Sequence, residues 1–243
     1  MNRLRLAMRL LRVGMHLVRG VLECAFLFPL LGPAARAGRV QRWSRDLTHI
    51  FGITVVASGA VSRGGGAIVA NHVSWLDVFV LNAVSPSVFI AKSEVRLWPV
   101  IGWLSARAGT VFIARDRRSS LRAANAVIAQ QLANGRQLAF FPEGTSASQG
   151  AMLAFHANLF QGVVASNALV YPVALAYRDA SGALAERVEY VGDTSLGESI
   201  VRLLSGQGCM AQVRYLPPIA SAGMDRRALA AAAHAAIHAA IED

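Results

Sequence analysis

An apolar run, Ala67-Ile68-Val69-Ala70, passes directly into Asn71-His72-Val73-Ser74-Trp75-Leu76-Asp77 and then into a second apolar run, Val78-Phe79-Val80-Leu81. The pattern predicts a strand, a short polar junction and a helix, with a histidine and a carboxylate held at the junction. Open α/β sheets place their chemistry at such strand ends. Ser74 is positioned to be the N-cap of the helix, with Asp77 three residues on in the place of a capping-box carboxylate, where Glu or Gln is usual. His72 then lies just before the helix. A neutral imidazole there can take a proton from a hydroxyl, and a nearby carboxylate can orient the ring and stabilise the imidazolium that forms. An ordinary capped helix start uses the same residue types, so the remainder of the chain has to decide between the two readings.

Further strand and helix signals alternate along the chain. Strands are expected over 53–57, 67–70, 87–91, 109–115, 137–141, 168–176, 188–191 and 212–216. Helices are expected over 39–49, from Ser74 to about Ala83, over 120–133, and in the alanine-rich stretch after Asp225, its N-cap. Pro172 interrupts the apolar strand 168–176, which implies an edge, a bulge or a strand end. Arg63-Gly64-Gly65-Gly66 reads as a turn, since it matches neither the P-loop nor the dinucleotide fingerprint. The expectation is one α/β domain over 46–243, with a mixed, largely parallel sheet flanked by helices.

The first 45 residues differ in kind. They hold nine arginines and one acid, so that the segment carries +8 of the chain's net +10, while the whole chain is 54% apolar and only 16% charged. Arg5, Arg9, Arg12, His16 and Arg19 fall on one stripe of a helix, and Leu6, Leu10, Val13 and Leu17 form an adjacent apolar stripe. A mostly apolar run from Gly20 to Ala35 follows, and the sixteen residues between Arg19 and Arg36 are fewer than the roughly 20 of a straight span. This segment, 1–45, is therefore read as a membrane-association device, re-entrant or interfacial rather than spanning. Ala35-Arg36-Ala37 imitates a signal-peptidase site, but the arginine-rich leader and the arginine inside the site argue against cleavage. Nucleic-acid binding is the competing account of the positive charge; the later arginines are dispersed, without interleaved aromatics, and no nucleic-acid partner is expected.

Two cysteines, Cys24 and Cys209, build neither a disulfide framework nor a metal spacing. His234 and His238 share one helix face but lack an acidic or cysteine partner nearby, so no metal site is expected. Three other features can carry chemistry. Arg115 ends the strand Gly109-Thr110-Val111-Phe112-Ile113, where a cation can hold a phosphate or carboxylate. Glu143 lies in Pro142-Glu143-Gly144-Thr145, a tight turn after a strand, with backbone N–H groups nearby that suit an anion or oxyanion. Trp98 and Trp103 offer an apolar wall for a chain-like substrate. No Gly-x-Ser-x-Gly elbow occurs, which counts against a serine lipid hydrolase.

In this order, Asn71-His72-x-Ser74-x-x-Asp77, Gly109 to Ile113 with Arg115, Phe141-Pro142-Glu143-Gly144-Thr145 and Val170-Tyr171-Pro172-Val173 resemble the four motifs of the glycerolipid acyltransferases. The likeness is strongest to the bacterial 1-acyl-sn-glycerol-3-phosphate acyltransferases and their lyso-ornithine-lipid relatives, and it runs over about residues 66 to 176. It implies a glycerol-3-phosphate acyltransferase-like fold and transfer of a fatty acyl group from a thioester, on coenzyme A or acyl carrier protein, to the free hydroxyl of a lysolipid. No further cofactor is implied. By the resemblance His72 is the general base and Asp77 its support. Arg115 would hold the acceptor's phosphate, Asn71, Ser74, Glu143, Gly144 and Thr145 belong to the substrate-binding motifs, and Pro172 belongs to the fourth motif, on the acyl side. The expected acceptor is 1-acyl-sn-glycerol-3-phosphate, giving phosphatidic acid, with the enzyme monotopic or peripheral on the cytoplasmic face of a bacterial inner membrane. Two departures from the phosphate-acceptor pattern stand against that acceptor, and lyso-ornithine lipid is the alternative: Ser146 and Ala147 stand where many phosphate-acceptor members have arginine and serine, so that one expected phosphate-binding cation is missing, and Ala114 stands where an aspartate is common. The continuation through Gly150, Phe155 and Asn158-Leu159-Phe160 resembles the lyso-ornithine branch. A non-catalytic membrane-binding protein is the reading from another class; its binding would not need His72 or Asp77.

Overall fold

The computed structural model describes residues 3–61, 64–114 and 118–242, with the side chain of Arg118 left aside. Arg115, the expected phosphate cation, lies outside the described residues, as does Arg63 of the predicted glycine turn.

Strand β2 (Gly66–Ala70) is the middle of the sheet, and it is wholly buried because it has partners on both sides and helices over both faces. Around it lie β1 (Ile53–Ser58), β3 (Val88–Lys92), β4 (Val111–Ile113), β5 (Gln137–Phe140), β6 (Leu169–Arg178), β7 (Cys209–Tyr215) and β8 (Ile219–Ala220). Their order is β1-β7-β6-β2-β5-β3-β4, with β8 beside β6. From β6 to β4 all pairs are parallel, and β7 runs antiparallel to β6 and parallel to β1. The sheet is thus mixed and largely parallel, as the alternation of strand and helix signals implied. At the start of β2, Gly66 has φ 128°, and a Cβ there would lie 2.7 Å from the Tyr171 ring and 2.9 Å from the Leu169 carbonyl oxygen, so only glycine fits.

The period-two alternation of a strand divides the core in two. Ile68 and Ala70 face one layer with Leu76, Val80, Leu81 and Tyr177; Ala67 and Val69 face the other with Ile128, Phe160, Val163, Leu229 and Ile237. The first layer is built from α2 (Pro33–Ile50), α3 (Asp77–Val84) and α7 (Leu196–Ser205); the second from α5 (Arg118–Ala133), α6 (Phe160–Ala165) and α8 (Arg226–Glu242). Asp225 caps α8 as expected, its Oδ1 accepting from the N–H groups of Arg227 (2.7 Å) and Ala228 (2.9 Å).

Three local expectations change. The first helix after β2 begins at Asp77 rather than after Ser74; Ser74 is fully buried, and its Oγ accepts only a long 3.4 Å bond from Leu76 N–H. The Asp77 carboxylate instead folds back on the loop before the helix, accepting from the N–H groups of Val73 and Ser74, and no side chain caps the helix start. Residues 188–191 form no strand: a 3-10 turn, Glu186–Val188, leads into a loop whose Tyr190 N–H donates to the Val73 carbonyl (3.0 Å). The short apolar run is explained by burial of Val188 rather than by pairing. Pro172 marks none of the alternatives alone. It pairs with Val69 inside β6, and its carbonyl, accepting from Leu216 N–H, faces the side where β8 gives way to β7. Lacking an N–H, Pro172 returns no bond to Leu216, so the pairing is one-sided at the point where β8 gives way to β7.

The N-terminal helix α1 (Arg3–Leu22) continues through a π-helical turn (Glu23–Leu27) and a 3-10 turn (Phe28–Leu30) before α2 folds back, with Pro33 at its start. Val13, His16, Gly20, Cys24 and Phe28 are buried against the domain, and the Arg9 guanidinium donates to the Leu204 carbonyl at 2.6 Å. Leu4, Met8, Leu11, Met15, Val18, Leu22 and Phe26 lie exposed in a row on the other side. The docking side therefore combines Leu6, Val13 and Leu17 with Arg9 and His16, while Arg5, Arg12 and Arg19 stay exposed, and the outward row is apolar. Arg19, counted above as a polar boundary, is matched by Glu23 and Asp46, each at 2.8 Å. By length and composition alone, Arg3–Leu30, 28 residues long, is apolar enough to cross a membrane.

Candidate active site

The parallel strands β2, β5, β3 and β4 all end at one edge of the sheet, and His72 and Glu143 come from the segments that follow β2 and β5. Asn71 fixes the exit of β2. Its side-chain nitrogen donates to the Leu175 carbonyl (3.0 Å) and its oxygen accepts from Leu175 N–H (2.7 Å), so the amide is used as a clamp onto β6. The next residue is then aimed by backbone alone. The His72 N–H donates to Glu143 Oε1 (2.7 Å), and its carbonyl accepts from Ala147 N–H (2.8 Å). The imidazole lies flat on Phe141, ring centres 4.1 Å apart at 9°.

His72 Nδ1 and Asp77 Oδ2 are 2.8 Å apart. Oδ2 also accepts from the N–H groups of Val73 (2.7 Å) and Ser74 (2.9 Å), and Oδ1 accepts from the Tyr177 hydroxyl at 2.6 Å. This buried carboxylate is thus met by donors at both oxygens. It is an acceptor only, so Nδ1 carries the hydrogen and Nε2 the lone pair. The His72 side chain is 20% exposed whereas Asp77 is completely buried, which leaves the basic nitrogen as the part of the pair a substrate can reach.

Glu143 also turns inward. It is 3% exposed, with Oε1 on His72 N–H and Oε2 on Leu153 N–H (2.8 Å). Burial pushes its carboxyl above the usual range, although both backbone bonds work the other way. The turn is closed by Gly144 at φ 79°, with its N–H donating to the Phe141 carbonyl, and Thr145 is left exposed. Of the residues expected at the site, His72, Asp77 and Glu143 come together, while Asn71 and Ser74 are buried against backbone and Pro172 is buried in β6. Tyr177 is a member of the site that the sequence did not single out, and Phe141, quoted there only as the start of the glutamate motif, stacks on the imidazole. Tyr177 continues the alternation of Val173 and Leu175, which could have placed it on the same buried face, and a buried tyrosine needs a partner for its hydroxyl.

Behind Phe141 the rings continue to Phe89, centres 6.0 Å apart, and Phe89 lines an apolar cleft between the π turn, α2, α3 and α4 (Ile101–Ala108). Val40, Val78, Phe79, Ile101 and Leu104 form its walls. The tryptophans expected there do not. Ile101, Leu104, Ser105 and Ala108 fall on the cleft face of α4, and Trp103, half exposed with the Arg107 guanidinium 5.2 Å from its ring centre, falls on another.

The family model described as Acyltransferase matches residues 52–176, the span that holds His72, Asp77 and Glu143. The chain belongs to the acyltransferase family. A lyso-ornithine lipid O-acyltransferase of Pseudomonas aeruginosa is 38% identical over 199 residues, 82% of this chain and 76% of that relative. A 1-acyl-sn-glycerol-3-phosphate acyltransferase of Neisseria gonorrhoeae is 39% identical over 155 residues, 64% of this acyltransferase and 60% of the relative. The crystal structure of the 1-acyl-sn-glycerophosphate acyltransferase PlsC from Thermotoga maritima shares the fold, with a TM-score of 0.73 at 21% identity over 99% of this chain and 95% of that one.

Proposed function

We propose that this acyltransferase moves a fatty acyl group from a thioester, on coenzyme A or acyl carrier protein, to the free hydroxyl of a lysolipid. The observation that carries the reading is the His72–Asp77 pair, with Nδ1 bound to a buried carboxylate and Nε2 turned to the accessible side. Nε2 takes the acceptor's hydroxyl proton as its oxygen attacks the thioester carbonyl; the thiolate then leaves and is protonated by the imidazolium. The ester forms in one transfer, and Cys24 and Cys209, both buried, take no part. The apolar cleft behind Phe141 suits the acyl chain, and the exposed row on α1 suits the membrane that holds the acceptor, with residues 1–45 leading the association. Thioesters are cytosolic, which supports the cytoplasmic face of a bacterial inner membrane.

As acceptor we take 1-acyl-sn-glycerol-3-phosphate, with phosphatidic acid as product and Arg115 as the phosphate-binding cation. Lyso-ornithine lipid is the second reading. Two observations favour it: the relative of that name aligns over more of the chain, and Ser146 gives its hydroxyl to the Tyr190 carbonyl, so no cation follows the Glu143 turn. Protein in anionic vesicles, given labelled acyl-coenzyme A or acyl-carrier protein with each lysolipid in turn, decides between them. Label in phosphatidic acid supports the first reading and label in ornithine lipid the second; label in neither overturns both.

A further inference from the structure

The Asp77 carboxylate divides its work between its oxygens. Oδ2 faces the imidazole and two backbone N–H groups, and Oδ1 faces Tyr177. Tyr177 has no exposed surface and stands 100 residues away in β6. Its position is set by the strand pairing Tyr177↔Ala211 and by its backbone N–H, which donates to Gln149 Oε1 at 2.6 Å. The neighbours on its face of β6, Val173 and Leu175, are apolar, and a phenylalanine would fill the same space. The hydroxyl is therefore there for Asp77.

Taking His72 as the base, we propose that Tyr177 is a positioning residue for acyl transfer: its hydroxyl fixes the rotation of Asp77 and sets how strongly that carboxylate holds the His72 imidazolium. A donor on Oδ1 draws negative charge away from the carboxylate. Without it the carboxylate stabilises the imidazolium more, and Nε2 becomes a stronger base that needs a higher pH to be free. Burial and the adjacent Asp77 push the Tyr177 hydroxyl well above its usual range, so it remains a donor throughout the working pH. The other titratable and charged groups that face this network are Glu143 on the His72 backbone, and Cys209 beside Tyr177 with Arg187 bonded to it.

The test uses the full chain in vesicles in two variants, Tyr177→Phe and 3-fluorotyrosine at position 177, the second a stronger donor of nearly the same shape. Each is read by the pH profile of kcat/KM and by NMR titration of the His72 ring. Loss of the hydroxyl is expected to move the rising limb and the His72 titration up by about half to one pH unit, because the carboxylate then holds the imidazolium with less of its charge drawn off. The fluorinated residue is expected to move both down, with KM for either substrate unchanged in each case. Profiles and titrations that overlay the wild type, with only a lower melting temperature, would overturn the proposal and leave Tyr177 a packing residue. Should Tyr177→Phe fail to fold, the fluorinated protein decides alone. A His72→Ala protein that keeps its rate would overturn the base reading instead, and the His72 titration in the two tyrosine variants would still report the Asp77–Tyr177 coupling.

Discussion

At Asp77 an imidazole, two backbone N–H groups and a phenol meet on one buried carboxylate, and each is a donor. Asparagine keeps the shape but presents an NH2 where an acceptor is required. Asp77→Asn is expected to cost about 10²- to 10⁴-fold in kcat and about 1–3 kcal/mol of stability from donors left without a partner, read by steady-state kinetics and by denaturant unfolding. Glu143 poses a different case. Its carboxyl is shifted upward, chiefly by burial, so the folded state holds that proton more tightly than the unfolded chain does. Its contribution is fully present below the ordinary Glu value of about 4.3 and is lost as pH rises through the shifted one. Glutamine does not titrate. The stability of the wild type relative to Glu143→Gln should therefore fall as pH rises through that window, and a relative stability that rises with pH would reverse the assignment of burial as the dominant cause.

Among the elements, α1 and α4 define the surfaces a lipid enzyme needs. The outward row of α1 offers Met8, Leu11 and Met15 to solvent while Arg9 and His16 are spent on the domain, through the Leu204 and Trp43 carbonyls. Burying one such side chain is worth about 1.5–3 kcal/mol. Leu11→Glu with Met15→Glu should weaken vesicle binding at least about tenfold in flotation, with the melting temperature unchanged because neither side chain packs on the domain. Leu104 on α4 walls the cleft that leads from Phe89. Leu104→Trp should shift the acyl preference toward shorter chains, measured by competition among thioesters of different length, with the vesicle affinity unaltered.

Across the whole molecule, the strands nearest the site were legible because each is a short apolar run ended by a residue that cannot continue it. His72 and Glu143 were legible for the same reason, as polar types placed where strands end, and Asp77 as an acid at the start of the following helix. The direction of a side chain is not written in its type. Asn71 and Ser74 look like binding groups, yet both are buried, and the Asn71 amide is committed to the backbone of β6. Tyr177 reads as core until its hydroxyl is seen to meet a residue 100 positions earlier. In the N-terminal segment two stripes of α1 were legible, but not their division of labour: Leu6, Val13 and Leu17 pack on the domain together with Arg9 and His16, and a third row, from Leu4 to Phe26, is left outside.

The proposed acyl transfer at a membrane depends on His72 acting as a base. The most direct measurement compares wild type and His72→Ala in the same vesicles, following label from an acyl thioester into lysolipid together with the fraction of protein bound. The account predicts a loss of about 10²- to 10⁴-fold in transfer with vesicle binding retained. Transfer undiminished in His72→Ala would contradict it.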